Sequence, residues 1–231
     1  MKDFLEKLIT LVPAYFSDLL NLMPGPKRFV RSRLSGKDLS MEGPLRFVGV
    51  SFMISWIIKA PLNRLDPIIE LGTDGAFVLA YVALYGGALC LAWRIVGGKG
   101  GLKQFFAIHF YYAGILLLIM ACFYLAAMGL LRVLDPLLYR DLYAAAYSGS
   151  LPSFVLQDLD RLWQSQGYRL SLILQALGFG SMLGWIVVGW GAYRKLSRLT
   201  RVRSVLAGAL FLLFCLPIAA FTFLIANALV K

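Results

Sequence analysis

The stretch FFAIHFYYAGILLLIMACFYLAAMGLL, residues 105–131, decides the fold, because its 27 residues include no Asp, Glu, Lys or Arg. A helix of about 20 apolar residues is long enough to cross the hydrocarbon core of a bilayer. The whole chain is 60% hydrophobic and 15% charged, with a mean hydropathy of +0.75. Soluble domains contain roughly 25% charged residues. The sequence therefore predicts a membrane protein.

Four further apolar stretches predict additional spans. They cover residues 45–62, 75–93, 170–193 and 204–230. The stretch 45–62 is the weakest, because Arg46 and Lys59 lie near its ends, where long basic side chains can reach the headgroups. The predicted fold is an all-α polytopic bundle with a cytoplasmic segment at 1–44 and a five-span transmembrane domain at 45–231.

The distribution of basic residues predicts the orientation. With five spans, one side of the membrane receives 16 Lys and Arg and the other receives 7. Short cytoplasmic segments accumulate Lys and Arg. We therefore expect a bacterial inner-membrane protein with its N-terminus in the cytoplasm and its C-terminus outside.

The segment 1–44 is expected to form surface helices rather than a signal peptide. Apolar residues recur at helical spacing between Phe4 and Met23, which predicts an in-plane helix bent at Pro13, with Asp18 on its polar face. A second helix is expected from Pro26 to Gly36. Five basic residues are concentrated there: Lys27, Arg28, Arg31, Arg33 and Lys37. They are either an anchor that attracts anionic lipid or a surface for a membrane-protein partner.

The loop 132–169 is the only long connection between spans, and its periodicity predicts two helical pieces separated at residues 148–152. Tyr139, Tyr143 and Tyr147 share one helical face there. Such a stripe is typical of tyrosines at headgroup depth. We therefore expect interfacial helices in this loop.

Small residues predict where helices pack. Gly180 and Gly184 have the GxxxG spacing that allows close helix approach, and Gly87 lies in a second small-residue strip. The fourth span is therefore expected to be the central packing helix, through contacts within the chain or as the face of a homo-oligomer. Pro217 is expected to kink the fifth span.

Few residues are available for chemistry. His109 is the one histidine, and its neighbours Tyr111 and Tyr112 favour a hydrogen-bonded packing role. Cys90, Cys122 and Cys215 fall in three separate spans without a CxxC pair. No nucleotide-binding or hydrolase motif occurs. We expect no enzymatic activity, cofactor or metal site, and anionic lipid rather than nucleic acid on the basic face. The interpretation is a membrane protein that organises partners; the alternative is a transport or lipid-handling component.

The layout resembles the Yip family of five-span membrane proteins, in its small bacterial branch. The resemblance rests on Gly43-Pro44-Leu45-Arg46-Phe47, the glycine-rich turn leading to the stretch from His109 to Gly114, and the basic turn Tyr193-Arg194-Lys195-Leu196. The chain keeps only Gly43-Pro44 of the family's Asp-Leu-Tyr-Gly-Pro motif. The resemblance implies a cytoplasmic N-terminus and a role in vesicle transport through contacts with prenylated small GTPases and related partners.

Reporter fusions test the orientation. A phosphatase fused after Lys231 should be active and a fluorescent protein at the same position dark, because the first matures outside the cytoplasm and the second inside. The opposite pair of signals would mean that the span count or the orientation is wrong.

Overall fold

The computed structural model describes residues 2–34, 40–62, 67–148 and 150–229, and the elements in these ranges are all helical. In chain order they are α1 (Lys2–Leu22), α2 (Pro26–Leu34), α3 (Glu42–Lys59), a short 3-10 helix (Ala60–Leu62), α4 (Pro67–Ile95), α5 (Leu102–Leu134), α6 (Pro136–Tyr147), α7 (Leu151–Gln157), α8 (Leu159–Gln164), α9 (Gln166–Leu196) and α10 (Arg201–Leu229). The all-α class predicted from the sequence is confirmed.

Four stretches of the described chain are helical, long and apolar enough to cross a membrane. They are Glu42–Leu62, Leu102–Leu134, Gln166–Leu196 and Arg201–Ala220. In α4, the apolar stretch Ala80–Ile95 is shorter than these four. The chain thus has the helices of a polytopic membrane protein, while the predicted span 75–93 in α4, and with it the count of five, stays a prediction.

Helix α5 is the centre of the bundle and contacts α3, α4, α6 and α9. Its residues 111–115 are all buried, although five consecutive helical residues point in every direction around the axis. The expectation that the fourth span is central is therefore wrong. Helix α9 lies on one side of α5 and exposes much of its apolar surface, including Val187.

Glycines hold α5 close to its neighbours, but they are not the ones predicted. A Cβ at Gly114 would lie 2.8 Å from the Phe47 ring of α3, and one at Gly189 would lie 2.8 Å from the Tyr112 ring. By contrast, a Cβ at Gly87, Gly180 or Gly184 would meet no described atom within 4 Å. The predicted contact within the chain at these three glycines is therefore not present in the described part of the molecule.

Gly180 and Gly184 have no neighbouring helix among the described residues because of their rotational position on α9. Gly178 and Gly189, separated by eleven residues, lie on the face toward α5, and a Cβ at Gly178 would approach Phe123 at 2.7 Å. Gly180 follows Gly178 by about 200° of helical rotation, so it points away from α5. The GxxxG spacing identified a smooth face of α9 without identifying the neighbour of that face.

Helix α10 packs chiefly on α4, where the Tyr85 and Phe211 ring centroids are 6.5 Å apart. The Trp190 indole of α9 lies against Gly208, and its Nε1 donates to Ser204 Oγ at 3.2 Å. Pro217 lies inside α10, which continues as a helix beyond it. The kink expected at Pro217 stays a prediction.

The long connection forms three short helices, α6 to α8, instead of two pieces. Leu138 and Leu162 are fully buried there, in a cluster with Leu62 and Leu131. Tyr139 is also buried, and its hydroxyl donates to the Leu62 carbonyl at 3.4 Å. Helix α6 therefore turns Tyr139 toward the end of the bundle, and the interfacial position of these helices stays a prediction.

Overpacking distinguishes the two faces of α9. Gly189→Leu should destabilise the bundle by about 1 to 3 kcal/mol, because its side chain would overlap the Tyr112 ring. Gly184→Leu is the matched control and should change stability little, since its Cβ meets open space. Unfolding in detergent measures both effects; equal loss in the two variants would contradict the assignment of faces.

Candidate functional site: a docked basic platform

An aromatic cluster fixes α1 and α2 to the bundle. Tyr15 of α1 is buried, its ring centroid lies 4.9 Å from that of Phe47, and its hydroxyl is 3.1 Å from Ser51 Oγ. Phe29 of α2 packs edge-on against Tyr111 of α5 at 4.9 Å. Burial raises the pKa of Tyr15, so its hydroxyl stays protonated at neutral pH. The N-terminal helices are therefore packed on the bundle.

A buried carboxylate links three helices at this cluster. Asp18 of α1 is 2% exposed. Its Oδ1 accepts a hydrogen bond from Arg33 Nη2 of α2 at 2.5 Å, and its Oδ2 accepts one from the Tyr111 hydroxyl at 3.3 Å. A buried carboxylate is costly unless it is paired and hydrogen-bonded, and both conditions are met here.

The assignment of Asp18 to the polar, outward face of α1 is therefore wrong. Residues three apart on a helix share a face, so the position of Tyr15 was an available signal that Asp18 points the same way. The sequence prediction grouped Asp18 with the solvent-exposed residues only because its side chain is charged. Its partner Arg33 lies in a different helix, so the periodicity of α1 could not predict the ion pair.

Of the five predicted basic residues, the structure describes the side chains of Lys27, Arg28 and Arg33. Lys27 lies along α9, where a Cβ at Gly191 would be 2.7 Å from its Cε. Arg28 and Arg33 are exposed and line a cavity of about 430 Å³ between α1 and α2. The side chain of Arg31 and the whole of Lys37 lie outside the described residues.

The cavity has the chemistry of an anion-binding surface. Asn21 and Ser32 contribute polar groups to its wall, and the Ser32 hydroxyl donates to the Phe29 carbonyl at 2.9 Å. The Arg33 guanidinium, which is also 5.8 Å from the Phe29 ring centroid, is held on one side by Asp18. Arginine offers a planar set of donors suited to carboxylates and phosphates. The platform, defined as α1 and α2 with this cavity, thus presents Arg28 and an Arg33 guanidinium that Asp18 holds in place.

A second surface of α1 is apolar and uncovered. Val12, Phe16, Leu20 and Met23 recur at helical spacing and are all exposed. This stripe is distinct from the face of Tyr15 and Leu22, which packs on the bundle. Helix α1 therefore has one face that packs on the bundle and a second apolar face that no described residue covers.

His109 has a packing role, as expected. Its Nε2 is 2.8 Å from the Val82 carbonyl of α4, and the Tyr193 hydroxyl of α9 is 3.4 Å from its Nδ1. A Cβ at Gly86 would overlap the imidazole, so this glycine provides the space for the ring. Among the described residues, no cluster of three or more His, Cys, Asp or Glu could hold a metal ion.

A comparison of the chain with protein families, curated proteins and solved structures finds no match.

Removing the charge of Asp18 tests the docking of α1. Asp18→Asn should weaken it by about 1 to 3 kcal/mol, because the Arg33 ion pair is lost and buried groups are left with poorer partners. Amide hydrogen exchange over residues 12–22 should then be at least fivefold faster. Glu42→Gln removes an exposed carboxylate and is the control; unchanged exchange in Asp18→Asn would show that the carboxylate does not hold α1.

Proposed function

We propose that this chain is a non-catalytic integral membrane protein that organises or supports membrane partners, with the α1–α2 platform as its contact surface. The observation that carries the proposal is the docking of basic helix α2 through the ion pair between buried Asp18 and exposed Arg33. Basic residues that only set the orientation of a membrane protein act through their number near the membrane. They do not require a fixed geometry. A specific ion pair to a buried carboxylate favours a surface whose shape is used for recognition.

The proposed arrangement places the platform at the cytoplasmic face of a bacterial inner membrane, with α4 as a fifth span. The excess of Lys and Arg on that side supports this orientation. The exposed stripe Val12, Phe16, Leu20 and Met23 lies in the interface, where an amphipathic helix buries its apolar face between headgroups and acyl chains. Lys27, Arg28 and Arg33 then contact anionic lipid or a partner.

The partner proposed for the platform is an acidic surface of a membrane or membrane-associated protein. Arg28 and Arg33 supply donors suited to carboxylates. Both residues line the cavity and lie on successive turns of α2. The resemblance to the Yip family points to the same general role, since Yip proteins act through membrane partners.

A lipid-handling role is the second candidate. It is favoured by an apolar groove of about 860 Å³ between α5 and α9, roofed by α6 and α7. The groove lies between the third and fourth of the predicted spans.

Crosslinking in native membranes tests the first candidate. A photoreactive amino acid at Ser32, which lines the platform cavity, should form a defined protein adduct. Arg28→Lys should reduce the adduct at least fivefold, because lysine keeps the charge but not the planar set of donors. Arg203→Lys, an exposed basic residue at the first turn of α10, is the matched control and should leave the adduct unchanged.

The result also separates recognition from lipid attraction. Attraction to anionic lipid depends on charge, so Arg28→Lys should preserve it and Arg28→Gln should lower it by about 1 kcal/mol. If both variants form the adduct as well as the unmodified chain does, the segment is a topology anchor and the proposal is wrong.

A further inference from the structure

Two turns meet at the end of the bundle where α4 and α9 end. They are residues 96–101, between α4 and α5, and residues 197–200, between α9 and α10. The Lys99 amide of the first turn donates to the Ser197 carbonyl of the second at 2.9 Å. A Cβ at Gly98 would lie 3.2 Å from the Ser197 Cβ, so the turns also touch beside this bond. Their positions relative to each other are therefore fixed.

The two turns share one backbone motif but differ at its central residue. That residue has a positive φ in both, 88° at Gly97 and 52° at Arg198. The amide of the next residue donates to the carbonyl five residues earlier, at 2.9 Å after Gly97 and 3.2 Å after Arg198. This motif commonly ends a helix, and glycine is its usual central residue because a side chain is strained there. The backbone therefore does not account for an arginine at position 198.

Three cations lie at the junction of the two turns. Lys99 and Arg198 each flank the hydrogen bond between the turns, and a Cβ at Gly97 would lie 3.7 Å from Nη1 of Arg203. All three cations are exposed, and none forms an ion pair with a described residue. The sequence of α5, α9 and α10 contains no Asp or Glu, so these helices supply no counter-charge.

Orientation and helix dipoles do not explain this arrangement. Orientation depends on how many Lys and Arg lie near the membrane, and it does not require any of them at a position that suits glycine. Helix dipoles favour cations in the last turn of a helix, where α9 already has Arg194 and Lys195. Arg203 lies instead in the first turn of α10, where the dipole disfavours a cation. The junction is therefore suited to an anionic ligand.

The surface beside the cations selects the kind of anion. Val202, Val205 and Leu206 of α10 are exposed next to Arg203. They belong to a helix that is long and apolar enough to cross a membrane, so the cations lie at the end of a span. Basic clusters between spans at the membrane surface suit phospholipid headgroups. A soluble anion would leave the neighbouring apolar side chains without a partner.

We propose that Lys99, Arg198 and Arg203 bind the phosphates of one anionic membrane phospholipid, whose acyl chains lie along α10. The phosphates neutralise a group of cations for which the junction has no carboxylate. This site is separate from the α1–α2 cavity, and it does not rest on the proposed function.

Native mass spectrometry of the purified full-length protein in detergent tests the site by counting retained lipid. The probe is diphosphatidylglycerol, whose two phosphates suit three cations. Arg198→Gly should lower the retained fraction at least about tenfold, because a charge-assisted contact is lost. Its unfolding temperature should be unchanged or higher, because glycine suits the positive φ. Arg198→Lys keeps the charge and should retain the lipid, whereas Arg203→Gln should lose it.

The matched control removes a cation at the same end of the bundle. Arg94→Gln replaces an exposed arginine in the last turn of α4 and should change the retained fraction by less than about twofold. Equal losses in Arg94→Gln and Arg198→Gly would indicate attraction by total charge and overturn the proposal. A lower unfolding temperature in Arg198→Gly would indicate a structural role and overturn it as well. Binding of inorganic pyrophosphate in place of the lipid would assign the cations to a soluble anion, with the same consequence.

Discussion

Close van der Waals packing around α5 is the constraint on which the rest of the bundle depends. Helices in hydrocarbon gain little by burying apolar surface against each other, so contact area and hydrogen bonds must hold them together. Gly114, Gly178 and Gly189 supply that contact by letting the rings of Phe47, Phe123 and Tyr112 reach a neighbouring backbone. The hydrogen bond from Trp185 Nε1 to the Tyr112 carbonyl adds a directional link between α5 and α9.

The extent of the spans could be predicted from the sequence, because length without charge is a direct consequence of bilayer thickness. The stretch 105–131 lies within α5, which continues only to Leu134, before Asp135 caps the next helix by accepting from the Leu138 amide. Charges mark where hydrocarbon ends, whereas helices continue into the headgroup region until a cap or turn stops them. The predicted spans 105–131 and 170–193 are therefore shorter than α5 and α9, which contain them.

The faces of the spans could not be predicted in the same way. Gly180 and Gly184 fit a packing motif, but their neighbours depend on rotation about the α9 axis, which tertiary contacts determine. The candidate site shows the same limit, because Asp18 and Arg33 are fifteen residues apart in different helices. Composition identified the basic segment, while the ion pair that orients it depends on the turn between α1 and α2. The groove between α5 and α9 likewise forms only where α6 and α7 fold back over these helices.

The uncovered stripe of α1 has a consequence for the membrane itself. A helix whose side chains enter only the headgroup region adds area to one leaflet and none to the other. Because Tyr15 and Asp18 fasten α1 to the bundle, the area that the proposed interfacial position adds stays beside the same spans. In the proposed arrangement each copy therefore occupies more area in the leaflet on the platform side, and membranes that bend away from the platform accommodate it with less strain.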